Sequence, residues 1–464
     1  MKTVVYLSFV VCLLGAVNLH AEVRTYAAPE GEKLSDVYRV TASGKTVDVY
    51  AARVLDAPFD GKYDYGGPYS FANFDTDGPV EVTITAARSL KNTVVRPARA
   101  DVALTIVDDH TLKLRLPGPI KLSVEPDGRK GPLLLFANPM EVDPPKPGDP
   151  NVIYFGPGIH KPEKIEVRDN QTLYLAGGAV VKGGVDARGQ NITIRGRGIL
   201  DGSDWPWRKG PTDNTIMIRG SHVIVEGITI RGAPHWTIVP RHSQHVTIRN
   251  VKLCNSRVQN DDGINPCNSQ DVLITDCFIR SDDDCVAMKG INFEQGNSNV
   301  ERIVVENSVL WCDRARIFLL GHESRAEFMR DITLRNLDII HYTMIPFLFE
   351  PGEEMRLQNV TIENVRLHGE GQAGFIRLRP VVNQYMHKKV PGHVQDIRFR
   401  HVQITGEPGG TDKYLVQIIG ADAEHQVRQI TLEDVTINGQ PVTADSPNVR
   451  INDLAQGIEF EAAK

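Results

Sequence analysis

From residue 191 onward the chain repeats one short pattern, roughly apolar-x-apolar-x-x-x-x-apolar. It appears as NITIRGRGIL at 191, HVIVEGITIRG at 222, HVTIRNVKLCN at 245, DVLITDCFIRS at 271 and RIVVENSVLW at 302. It continues as DITLRNLDII at 331, NVTIENVRLHG at 359, DIRFRHVQITG at 396 and QITLEDVTING at 429, with successive starts 23 to 37 residues apart. Strands rich in β-branched residues, with Asn, Asp and Gly at the corners and this repeat length, predict the coils of a parallel β-helix. A leucine-rich horseshoe would need a helical segment in each repeat, and none is visible. Strand side chains alternate inward and outward and neighbouring rungs stand ~4.8 Å apart, so equivalent outward positions form surface ladders.

Ahead of the repeats, from about Lys33 to Glu141, β-rich runs such as KTVDVYAARV, VEVTITA and TLKLRL alternate with turn clusters such as EPDG at 125–128. Short strands at this interval predict a small antiparallel β-sandwich. DPPKPGDP at 143–150 follows, with four prolines and a glycine. It is read as a stiff linker. At the start of the chain Lys2 precedes an apolar run from Val4 to Leu14, with a small residue at Ala21. That is the pattern of a secretory signal peptide. The expected organisation is a signal peptide over 1–21, a β-sandwich over 22–142, the linker, and a right-handed parallel β-helix over 151–464. A secreted or periplasmic monomer without a membrane span is expected. The sandwich either caps the end of the helix or binds sugar.

A formal charge of -6 in 464 residues disfavours a nucleic-acid partner, which normally requires a basic face. Beyond Cys12, five cysteines remain: Cys254, Cys267, Cys277, Cys285 and Cys312. Their spacing fits no zinc pattern, and both disulfides and buried thiols are compatible with it. No cofactor or metal is expected.

The candidate chemistry lies in three rungs that align without gaps on their inward residues: HWTIV at 235–239, DDGIN at 261–265 and DDCVA at 283–287. Stacking Ile238, Ile264 and Val286 puts Trp236, Asp262 and Asp284 in one ladder and His235, Asp261 and Asp283 beside it. Extending the alignment to RARIF at 314–318 adds Ala315 to the first ladder and Arg314 to the second. Crowded carboxylates oppose one another's ionisation, so at least one stays protonated to higher pH. A pair with one carboxyl protonated and one ionised is what inverting glycoside hydrolysis uses. Lone Asp residues at β-corners usually cap turns, and clustered ones can bind calcium. The stacked set favours catalysis over both.

These residues resemble glycoside hydrolase family 28, the polygalacturonase family. Asn260, Asp261, Asp262 and Gly263 follow its Asn-Thr-Asp-Gly element with Asp261 in place of Thr, and Asp283, Asp284 and Cys285 follow its Asp-Asp-Cys element. The resemblance implies a polysaccharide substrate and an inverting hydrolase in which Asp283 is the general acid and Asp262 with Asp284 activates water. Substrate contacts are expected from His235, Trp236, Asp261, Lys289, Arg314, Arg316, His322, Arg377 and Arg379, Trp236 offering an apolar face to a sugar ring and Lys289, Arg314 and Arg316 favouring an acidic one. Two elements depart from the family pattern: Ala315 stands where its Gly-His-Gly histidine belongs, and Arg377-Leu378-Arg379 comes one coil after the expected place of its Arg-Ile-Lys. Those departures, and a sandwich before the helix, resemble glycoside hydrolase family 49, the dextranase and isopullulanase family. An acidic glycan is the expected substrate, with a neutral α-glucan as the alternative. A lyase or esterase on the same fold, or a non-catalytic carbohydrate-binding solenoid, are the rival readings.

Overall fold

In the computed structural model, the described residues are 21–462 except 100, 292–297, 369–373 and 407–412. All but Ala21 of the expected signal peptide, Cys12 included, lies outside them. The described chain is strand, turn and loop, without helix, so no helix there is long and apolar enough to cross a membrane.

The N-terminal unit is two facing sheets. One, of five strands, is antiparallel throughout and includes Tyr38–Ala42, Val80–Ala86 and Thr111–Leu116. The other has six strands, and there Leu133–Asn138 runs parallel to Gly67–Thr76. The sandwich is therefore mixed, where sequence pattern predicted purely antiparallel pairing. Val82, Ile84, Leu112 and Leu114 meet Phe74, Leu122 and Leu135 between the sheets. Ile120–Glu125 and Leu133–Asn138 are buried at every residue, because the second sheet is covered on both faces. Its outer face, with Tyr69, Phe71, Leu134 and Phe136, packs on Cys254, Phe278, Trp311 and Ile340 of the repeats.

The repeats wind into coils of parallel strands, most of them in a sheet of 20 strands and the remainder in one of six. The first residue of every repeat turns a corner in the left-handed region: Asn191, His222, His245, Asp271, Arg302, Asp331, Asn359, Asp396 and Gln429 all have φ between 53° and 59°. A second corner repeats five residues later at Asn250, Asp276, Asn307, Asn336, Asn364, His401 and Asp434. Asn and Asp enter this region most readily among residues with a Cβ, which is why they punctuate the sequence. Stacked asparagines also bond along the axis, Asn364 donating to Asn336 at 2.7 Å and Asn336 to Asn307 at 3.2 Å. Ile, Val and Leu fill the interior continuously from Ile165 to Val442. All five described cysteines are buried thiols.

The sandwich packs along the flank of the helix. Buried polar contacts bind the two units over several coils. Asp75 accepts two bonds from Arg197 Nε at 2.8 and 3.0 Å. Arg231 joins Glu32 and Asp201, each at 2.7 Å. Lys252 donates to Asn138 at 2.9 Å, and His341 meets Glu125 at 3.0 Å. Arg280, wholly enclosed, donates to Asp313 at 2.9 Å and stacks between the rings of Tyr69 and Trp311, at 4.4 and 3.8 Å from their centroids. A buried cation held this way exchanges its water for a carboxylate and two π-faces.

Candidate active site

The expected ladders form. Ile238, Ile264 and Val286 bridge in parallel. Backbone bonds from Thr237 to Asp262 and from Gly263 to Asp284 place Trp236, Asp262 and Asp284 in one line. The next coil departs from the expected alignment. Val286 pairs with Phe318, not with Ile317, while Ser281 still pairs with Cys312. The turn between those strands is thus one residue longer than the turn before it. Ala315 is consequently buried in the core, and Arg316, not Ala315, stands opposite Asp284.

Each carboxylate has its own surroundings. Asp261, expected to meet substrate, is wholly buried, and its two oxygens accept the Ser256 amide at 2.6 Å and the Asp282 amide at 2.7 Å. It is a clamp between the two Asp-bearing loops. Asp262 accepts from Asn265 at 2.8 Å through Oδ2, and its Oδ1 is buried without a partner among the described residues. Burial first, then the charge of Asp283, holds the Asp262 carboxyl well above its usual range. Burial likewise pushes Asp284 up to about 6, with Asp283 adding to the rise and Arg316 opposing it. Arg316 reaches Asp284 Oδ1 with its backbone amide at 3.1 Å and its guanidinium at 3.6 Å. Asp282 is raised to about 7 by burial, against the pull of Arg314, which donates to it at 2.6 Å.

Asp283 Oδ1 accepts its neighbour's amide at 3.0 Å, and Oδ2 accepts from Asn260 at 3.1 Å and from the Arg314 guanidinium. Arg208, in a loop with Trp205 and Trp207, donates to Asn260 at 3.0 Å. Lys289, almost fully enclosed, donates to Glu323 at 2.5 Å and lies 4.8 Å from the centre of the Trp236 ring. His235 stacks on Trp236, centroids 5.5 Å apart and planes 7° from parallel.

His322 and Arg379 belong to a neighbouring cavity of about 420 Å³ and share Glu350, at 3.1 and 2.5 Å. Arg377 pairs with Leu348 and Gln417, on the coil after Phe347–Glu350 and three coils past Val286–Met288. Sequence reasoning passed over Arg208 and Asn265. The paired tryptophans of WPWRKG and the asparagine three residues after Asp262 were the available signals.

Residues 184–307 match Glycosyl hydrolases family 28. Over that segment the chain is similar to that family. The matched segment contains Asp262, Asp283 and Asp284 and ends before Arg314. Exopolygalacturonase A of Aspergillus niger is 22% identical over 307 residues, covering 57% of this chain and 66% of that protein, just under two thirds. A probable polygalacturonase of Vitis vinifera is 32% identical over 105 residues, covering 22% of this chain and 21% of that one. Dex49A from Penicillium minioluteum superimposes with a TM-score of 0.71 at 18% identity, over 94% of this chain and 96% of that one. A family 28 exopolygalacturonase from Yersinia enterocolitica gives 0.55 at 14% identity, over 96% and 97%. Both likenesses speak to the fold, which in each case extends across the sandwich as well as the coils.

Proposed function

We propose that the chain is a secreted, inverting glycoside hydrolase acting on α-linkages of an acidic, polygalacturonan-like polysaccharide, with Asp262, Asp283 and Asp284 as its reacting carboxyls. The observation that carries this reading is the convergence of the three on adjacent coils, Asp262 and Asp284 in one line with Trp236, and Asp283 beside them. Hydrolysis with inversion needs a proton donor and an ionised carboxylate with room for water between them. Asp283 is the donor, as the family likeness implies, and Asp262 with Asp284 orients and activates water.

Arg314 donates to Asp283 Oδ2, so proton donation from that oxygen requires the substrate to draw the guanidinium away. The carboxylate of an acidic sugar would do so through bidentate bonding. A second assignment, with Asp262 as donor, is favoured by the unpartnered Oδ1 of that residue. A neutral glucan as substrate is favoured by one observation: Lys289, Arg314 and Arg316 are each already countered by a carboxylate.

Asp262→Asn and Asp283→Asn, assayed on polygalacturonate, dextran and pullulan, test the set. Each should lose on the order of ten-thousandfold in turnover on the true substrate. A glycosyl fluoride, whose leaving group needs no proton, should restore activity only to the variant lacking the donor. Undiminished activity in both variants overturns the proposal. An unsaturated product would indicate a lyase.

A further inference from the structure

Away from the aspartates, three successive coils bring Glu354, His393 and His425 to one corner, their ligand atoms all within 4.8 Å of one another. The stacking follows from register: Arg356 pairs with His393, and Val394 with Val427. Glu354 Oε2 lies 3.0 Å from His393 Nε2 and 3.4 Å from His425 Nε2. Ligand atoms ~2.0–2.1 Å from a tetrahedral zinc ion stand ~3.3 Å from each other, so these two separations match edges of such a polyhedron.

The proton positions sharpen the point. Both oxygens of Asp422 face His425 Nδ1, at 2.8 and 2.9 Å. Nδ1 therefore donates to Asp422, which leaves Nε2, on the side of the Glu354 carboxylate, as the nitrogen available to a metal ion. A divalent ion between Nε2 and the Glu354 carboxylate, 3.4 Å apart, would take the place of a bridging proton. A carboxylate that fixes the far nitrogen of a histidine is the usual support of a metal-bound imidazole. His425 is buried, whereas the Glu354 and His393 side chains are 54% and 29% exposed. An ion can thus enter from solvent and keep a water as fourth ligand.

We propose that Glu354, His393 and His425 bind a zinc-class divalent ion, with Asp422 orienting His425. Two imidazoles and one carboxylate suit zinc and its neighbours in the transition series, not calcium. Such an ion would staple three coils. It would also brace the segment after Ala421, a residue that lines the cavity of His322 and Arg379 and whose amide bonds to His425 O at 2.9 Å.

The test is equilibrium dialysis of the chelator-stripped full chain against zinc chloride, with metal analysis, and thermal unfolding across the same zinc series. The expected result is about one equivalent of zinc bound per chain and a midpoint that rises with zinc. Asp422→Asn should weaken binding about 10–100-fold. Glu354→Gln, and His393→Ala with His425→Ala, should abolish the stoichiometric site. The other stacked histidine pair, His222 and His245 with rings 4.8 Å apart, is the control, and replacing both should leave that site intact. Absence of zinc binding in the unaltered chain, or binding unchanged in the His393/His425 variant, overturns the proposal.

Discussion

Arg316→Met isolates the electrostatic control of Asp284. The backbone amide of residue 316 also bonds to Asp284 Oδ1, at 3.1 Å, and survives the substitution. Only the guanidinium, 3.6 Å from that oxygen, is lost. At 3.6 Å a unit charge is worth ~4.6 kcal/mol for an effective dielectric of 20 and ~1.2 kcal/mol in bulk water. Since a shift of one pKa unit corresponds to ~1.4 kcal/mol, the bulk-water limit alone predicts a rise of about one unit. Asp284 begins at about 6. Removing a cation raises a carboxyl pKa, so the acidic limb of kcat should move to higher pH by at least about one unit. Activity at pH 5 should fall at least about tenfold relative to that at the optimum, while Arg316→Lys should leave the limb nearly in place. The assay is kcat against pH on polygalacturonate, measured at saturating substrate to separate ionisation from binding. A loss uniform across pH, with the limb unmoved, would refute both the coupling and the role given to Asp284.

Asp261→Asn should destabilise the fold by about 1–3 kcal/mol in denaturant unfolding, because an amide nitrogen would replace one of two oxygens that accept backbone hydrogens. Arg280→Met strands Asp313 and empties the space between Tyr69 and Trp311. Chemical unfolding should register a loss of about 3–5 kcal/mol, the usual effect of removing one partner from a buried ion pair. At the interface, burial lowers the pKa of His341, and the Glu125 pKa is lowered because the charge and bonding of His341 outweigh its burial. Both groups bind protons more weakly folded than unfolded, so stability should be full above about pH 6.5 and fall as pH drops through the two folded-state values. His341→Gln should flatten the upper part of that decline in pH-dependent thermal melts. The five buried cysteines should resist alkylation in the native protein and react on unfolding, with the melting temperature indifferent to reductant.

The coils were legible because their physics is local and periodic. Left-handed corners select Asn and Asp, and the interior selects Ile, Val and Leu at a fixed phase. The first three rungs of the site were legible for the same reason, since equal loop lengths let Ile238, Ile264 and Val286 be stacked from sequence alone. The fourth rung was not, because both Ile317 and Phe318 are apolar and buried. Only pairing shows that the turn has gained a residue and that Arg316 faces Asp284. Asp261 and Asp262 look alike in sequence, yet one clamps backbone amides and the other has an unpartnered oxygen. The difference lies in which way each loop turns. Glu354, His393 and His425 are scattered in sequence and meet only through coil register. The parallel pair in the sandwich was likewise hidden, although LLLFA at 133–137 carries the unbroken apolar run of a strand covered on both faces.

The flank contact has a consequence for how the molecule comes apart. An isolated β-helix can unzip coil by coil from either end, since each coil touches only its neighbours. Here a single rigid sandwich grips coils carrying residues as distant as Arg197 and His341, so loosening any one of them strains a plate that holds the rest. Detaching the plate would leave Lys252, Arg280 and Arg231 facing solvent across a strip of exposed aromatic surface. The two units should therefore melt in one cooperative transition, and the coils produced without their N-terminal partner should aggregate instead of folding as a smaller enzyme.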